Sequence, residues 1–255
     1  MAARWMERGG IVAFAVALLY PLSALLAPVG PWRWDQDVAP QTMASIRVSL
    51  GLTAIAMMVV LLVGTPVAIY IARASFRERL LWQGALLLSI LLPPLALGIL
   101  LSIAFGPSGA AGGWLEHFGM RVSNNPPAFV ATQVYVSIGY YVLGAIAAFQ
   151  AVPAMLEKHA ALLGQPPWAV FWRVTFPLSR LGLAAALSVA WVRALGEFGA
   201  VVITAYYPSG MPVQLWINLQ SFGLPAVMPL LVVFLAAALP LPWIIHLLAQ
   251  RRPHA

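Results

Sequence analysis

Arg193 and Glu197 are two opposite charges set four positions apart inside a long apolar stretch. On a helix that spacing places both side chains on one face, close enough to pair. An unpaired charge is costly in hydrocarbon, so the two must face protein or a water-filled path. Two roles stay open for them: a neutralised pair that orients helices, or a pair that lines or gates a passage. Catalytic chemistry has little else to draw on. The single lysine, Lys158, lies in no phosphate-binding Gly-x-x-x-x-Gly-Lys-Ser/Thr loop, so ATP binding by that route is excluded. The four histidines, His117, His159, His246 and His254, fall in four separate regions and do not make a metal site. Seven acidic residues scattered over the chain leave no convergent acid, base or nucleophile, and no catalytic residue is assigned.

The elements that must hold these residues are membrane helices. Of 255 residues, 62% are hydrophobic and 8% charged, against roughly 45–50% and about 25% in soluble domains. That excess needs a second apolar solvent, and the whole chain, 1–255, reads as one membrane domain of all-α class. Six apolar stretches are long enough to cross a core of about 30 Å: Gly10–Pro28, Ser49–Ala72, Leu81–Ala104, Ala128–Phe149, Leu181–Ala205 and Leu224–Ala249. Pro93-Pro94 marks a possible break in the third. The first has the basic start of a signal peptide, but Leu25 and Ala27 do not fit a small-x-small cleavage site, so it is expected to be retained. There is no cysteine and hence no disulfide framework.

The net charge of +7 does not form a nucleic-acid patch, because the cations are few and lie between apolar runs. They sort by side instead. Arg4, Arg8, Arg73, Arg77, Arg79, Lys158, Arg173, Arg180, Arg251 and Arg252 share one side, and Arg33, Arg47 and Arg121 the other. The positive-inside bias then places both termini in the cytoplasm. Three segments are expected as external loops: Val29 to Ala44, Phe105 to Pro127 and Tyr206 to Gly223. Tryptophans and tyrosines near the span ends read as anchors in the lipid interface.

The largest cytoplasmic excursion is about 151–180. Leu156 to Leu163 reads as a short helix, Gly164-Gln165-Pro166-Pro167 as a turn, and Trp168 onward as a second short amphipathic helix. Pro177 is expected to stop it before the next span. Trp168, Phe171 and Trp172 put apolar surface on one face, which must cover either the membrane interface or a groove on a soluble partner.

This loop resembles that of the permease subunits of binding-protein-dependent ABC importers, which has the pattern Glu-Ala-Ala, three residues, Gly, nine residues, Ile-x-Leu-Pro. Gly164 and Pro177 keep the separation, and Val174-Thr175-Phe176-Pro177 closes it. Lys158-His159-Ala160 stands where Glu-Ala-Ala is usual, with Glu157 adjacent. The resemblance runs from Ser49 to about Leu248 and includes Leu92–Pro94 and Arg193–Ala200. It implies a type I importer permease fold in the inner membrane of a prokaryote, with a second permease subunit, ATPase subunits that use ATP and Mg, and an external solute-binding protein. It also implies that Glu157, Lys158, His159, Ala160, Gly164, Trp168, Phe171, Trp172 and Pro177 form the ATPase-coupling loop. No cofactor is expected on this chain. Arg193, Gly196, Glu197 and Gly199 would mark the translocation pathway or gate, in a run similar to that of molybdate, tungstate and sulfate permeases. Ferric iron, thiamine, polyamine and phosphonate importers remain alternatives for the solute. A secondary transporter or channel would favour several intramembrane carboxylates and an internal repeat, and neither is present.

Overall fold

The computed structural model describes residues 2–26, 30–107, 109–119, 121–239, 244 and 247. Helix α1 (Ala2–Ser23) leads through one 3-10 turn and a loop into α2 (Ala39–Arg73). Then follow α3 (Phe76–Leu91), α4 (Pro94–Phe105), α5 (Ala110–Glu116) and α6 (Pro126–Gln150). Next come α7 (Ala154–Leu162) and α8 (Pro167–Val170), which passes through a π turn (Phe171–Thr175) into α9 (Phe176–Leu195). The short α10 (Val201–Thr204), α11 (Met211–Phe222) and α12 (Leu224–Ala238) complete the described order.

Three of these are long and apolar enough to cross a membrane unbroken: α2, α6 and the continuous run Pro167–Leu195. The stretch expected as the third span is two rods, α3 and α4, bent by 104°. Pro93 and Pro94 account for the break. Pro94 begins α4, where its missing N–H is not needed, and the residue before a proline is forced out of helical conformation. The first expected span is represented by an apolar piece, Ala13–Leu26. The sixth is represented by α12; beyond residue 239 only residues 244 and 247 of it are described, and His246, Arg251, Arg252 and His254 lie outside the described residues.

α6 packs against both α2 and α9, and these three helices build the main core. Small residues bring the backbones together. A Cβ on Gly144 would lie 2.6 Å from the Cβ of Ala186, and one on Gly182 would lie 2.6 Å from that of Ala148. Without a hydrophobic drive between helices in lipid, this close packing is what holds them. On the other side of α6, Tyr141 fills the space over Gly64, and its hydroxyl is 2.7 Å from Thr65 Oγ1.

Two elements differ from expectation because polar residues found partners. α2 begins ten residues before the apolar stretch does, and Thr42, Ser45, Ser49 and Thr53 form a buried stripe along it. The segment expected as a loop from Tyr206 to Gly223 contains α11, whose Asn218 donates to Thr42 Oγ1 at 3.3 Å and to the Ala226 carbonyl at 3.2 Å. Ser49 Oγ accepts from Met211 N at 2.7 Å. Uncharged hydroxyls and amides thus satisfy one another inside an apolar bundle. The loop from Phe105 to Pro127 likewise contains a short helix, α5.

Candidate functional site

The fifth apolar stretch does not continue as one helix to Ala205. α9 ends at Leu195, and Gly196 closes it by donating to the Val192 carbonyl at 3.0 Å. Glu197 therefore lies just past the helix, in a turn. Arg193, in the last turn, still reaches it: its guanidinium donates to Glu197 Oε2. The other carboxylate oxygen accepts from Ala200 N at 2.6 Å, at the start of α10. Glu197 thus ties the end of α9 to the beginning of α10, and it is 3% exposed. The Arg193 side chain is 26% exposed and sits 5.9 Å from the Tyr140 ring centroid. A cation at a helix C-terminus is favoured by the helix dipole, and the buried carboxylate is favoured by its two donors.

The turn is packed backbone to backbone against α4. A Cβ on Gly199 would lie 2.7 Å from Pro94 Cβ, and one on Gly98 would lie 2.9 Å from both Cα and O of Ala200. Gly199 and Gly98 are required by this crossing. A Cβ on Gly196 would instead lie 3.2 Å from the carbonyl oxygen of Val192 in α9. Beside the break, Gln133 of α6 donates through Nε2 to the Ala194 carbonyl and to Thr53 Oγ1, both at 3.0 Å. Its buried Oε1 finds no partner among the described residues. Thr132 and Thr204 share a hydroxyl contact of 2.7 Å, which fastens α10 to α6.

A second cluster lies at the far end of α9, where α7, α8 and the ends of α2 and α6 meet. Gly164 turns the chain from α7 to α8 with φ +79°, a conformation that suits glycine. The expected stop at Pro177 does not occur. The helix runs on from Pro167 to Leu195, and the wider π turn Phe171–Thr175 just before Pro177 accommodates a ring that would otherwise clash within an α-helix. Glu157 points inward. Its Oε1 accepts from Arg73 of α2 at 2.5 Å and from Thr175 Oγ1 at 2.7 Å. Phe171 is partly buried against the core, whereas Trp168 and Trp172 are exposed. Lys158 and His159 are exposed, and Ala160 is half-buried. Arg173 donates to Gln165 Oε1 at 3.1 Å. A cavity of about 480 Å³ lies under α7, floored by Ile69, Phe149, Val170 and Phe171 and bordered by Arg73, Glu157 and Lys158.

Residues 64–253 match the family of binding-protein-dependent transport system inner membrane components. The chain belongs to that family. As a permease it is a transport subunit of a multi-pass membrane system and not an enzyme. It is 32% identical to a probable molybdenum ABC transporter permease protein of Haloferax volcanii, over 91% of this permease and 87% of that one. It is 32% identical to a molybdenum transport system permease protein of Mycobacterium tuberculosis, over 84% and 83% of the two chains. The sulfate transport system permease protein of Escherichia coli is 28% identical over 92% of this permease and 87% of its own length. The crystal structure of a bacterial alginate ABC transporter in complex with its pentasaccharide-bound periplasmic protein shares the fold. It has a TM-score of 0.75 and 16% identity, covering 98% of this permease and 94% of that chain. The type I importer permease fold is thereby established.

Both clusters of the permease include residues that charge and motif reading passed over. Gln133 and Thr53 carried a signal in their polarity at helical spacing within apolar stretches. From sequence Arg73 reads only as a cation on one side, and its pairing with Glu157 spans 84 positions, which no local pattern reveals.

Proposed function

We propose that this permease forms, with a second permease subunit, the membrane passage of an importer for a tetrahedral oxyanion: molybdate, tungstate or sulfate. The observation that carries the solute class is the similarity along most of the chain to relatives named for those three anions. The site chemistry agrees with it. Glu197 neutralises Arg193, and the Gln133 amide and the Thr53, Thr132 and Thr204 hydroxyls lie buried beside the break between α9 and α10. An anion meeting dipoles and a neutralised cation is held weakly enough to leave, which a conducting path requires. Arg193, Glu197, Gly196 and Gly199 take the role of pathway or gate.

The whole chain, 1–255, acts as a single membrane domain with both termini in the cytoplasm. An external solute-binding protein delivers the anion, as the alginate transporter is seen with its periplasmic protein. ATPase subunits bind ATP and Mg and push on the loop from Glu157 to Pro177. Gly164 sets the bend, Lys158, His159, Ala160, Trp168 and Trp172 belong to the docking region, and Phe171 anchors it to the core. Movement of α7 reaches α2 and α9 through Glu157, and the attached helices rock between outward- and inward-facing states.

The deciding experiment reconstitutes the permease in vesicles with its ATPase and binding protein and follows labelled molybdate. ATP-dependent uptake, competed by tungstate or sulfate, is the expected result. Uptake of ferric iron, thiamine, a polyamine or a phosphonate with no oxyanion uptake would overturn the solute class. Uptake without ATP would overturn the importer mechanism.

A further inference from the structure

Two consecutive residues of α6 hold the two ends of the break between α9 and α10. Thr132 meets Thr204 hydroxyl to hydroxyl at 2.7 Å, and Gln133 donates through Nε2 to the Ala194 carbonyl at 3.0 Å. That carbonyl also accepts from Glu197 N at 3.1 Å. It is the point where the turn carrying Glu197 leaves α9, and Gln133 grips it from outside the helix. The other Nε2 hydrogen goes to Thr53 Oγ1 of α2 at 3.0 Å, so one amide binds α2, α6 and α9 together.

The grip is unsatisfied at one atom. Gln133 is 1% exposed, and its Oε1 has no hydrogen-bond partner among the described residues. Turning the amide over does not cure this, because Oε1 would then face the Ala194 carbonyl, acceptor against acceptor. The other buried amides, Gln214 and Asn218, are bonded through both their oxygen and their nitrogen. A sealed acceptor without a donor costs free energy that it regains on meeting water. The Gln133 amide therefore acts in two directions. Its two donated bonds favour the packed turn, and its unmet oxygen favours an arrangement in which water reaches it.

We infer that Gln133 is the positioning residue of the turn at Gly196 to Ala200, a catch that holds it against the bundle and releases it when water enters the passage. This rests on the reading of Arg193, Gly196, Glu197 and Gly199 as pathway or gate. It adds a residue that hydrogen-bonds to neither side chain of the ion pair and acts through the backbone between them.

The test follows hydrogen exchange of the backbone amides in residues 195–204 of the full permease in detergent, together with its unfolding temperature. Gln133→Leu should raise exchange there about tenfold and leave residues 60–72 of α2 and 140–150 of α6 unchanged. The unfolding temperature should hold. The substitution removes an unmet acceptor along with the two donated bonds, the Thr53 hydroxyl can turn to a carbonyl of its own helix, and Ala194 keeps its bond from Glu197. Thr53→Val keeps the shape and removes one anchor of the amide, so it should raise exchange about threefold. It carries the test if Gln133→Leu does not fold. Parent-level exchange in both variants overturns the catch. A fall of several degrees in unfolding temperature with faster exchange throughout the core makes Gln133 a packing residue and overturns it too. The same variants, reconstituted with ATPase and binding protein, separate this inference from the gate reading. Faster exchange with lower molybdate uptake per ATP supports both. Faster exchange with parent uptake keeps the grip and overturns the gate. Parent exchange with altered uptake overturns the grip alone.

Discussion

Arg73, in the last turn of α2, holds Glu157 of α7 at 2.5 Å, and the same carboxylate oxygen accepts from Thr175 at the entrance to α9. One carboxylate thus joins three helices. Arg73→Ala should leave membrane insertion unchanged and lower solute uptake per ATP hydrolysed by several-fold. Thr175→Val, which removes only the weaker bond, should do less. Uptake and phosphate release measured on the same vesicles give the ratio, and an unchanged ratio in Arg73→Ala rules out transmission through this contact.

Arg193 and Glu197 form a pair with one nearly buried partner. Removing the arginine strands a buried carboxylate, with a cost of about 3 kcal/mol. Arg193→Ala should therefore lower the unfolding temperature in detergent more than Arg193→Ala combined with Glu197→Ala. A double-mutant cycle by thermal unfolding provides the check, and additive losses would show that the two do not interact.

At Gly164 a Cβ would meet nothing within 4 Å, so space is not the constraint; the positive φ is. Gly164→Ala should cost about 1 kcal/mol in the local turn, and Gly164→Asn should cost less because asparagine tolerates this conformation. ATPase stimulation by loaded binding protein should fall in the order Gly, Asn, Ala. Equal stimulation in all three would show that the bend does not govern coupling.

Gly98 poses the reverse case. Its conformation is ordinary, but backbone atoms of Ala200 occupy the space. Gly98→Val should separate α4 from α10 and cost about 1–3 kcal/mol by overpacking. Cysteine cross-linking between α4 and α10 should decline in the variant, and unaltered cross-linking would contradict the close crossing.

The apolar stretches exposed the helices because lipid imposes length and composition on any span. The ends were less legible. α2 reaches back to Ala39 because Thr42 and Ser49 are satisfied by Asn218 and Met211, more than 160 positions away. α9 stops at Leu195 inside an apolar run because Glu197 and Gly199 organise a turn there, and hydropathy does not register a turn made of apolar neighbours. Gly164 announced its bend through residue type alone. Pro177 misled for a related reason: a widened turn upstream absorbs it, and such a turn leaves no mark in composition.

The 104° bend between α3 and α4 divides one apolar stretch between two allegiances. α3 lies along α6, while α4 is clasped by α10 through Gly98 and Ala200. α10 is itself fastened to α6 through Thr132 and Thr204, so α3 and α4 reach the same central helix by separate routes. Leu92 and Pro93 are the corner at which one hydrophobic run leaves the long axis of α6 and is handed to its neighbour, so a single apolar stretch furnishes two differently directed supports.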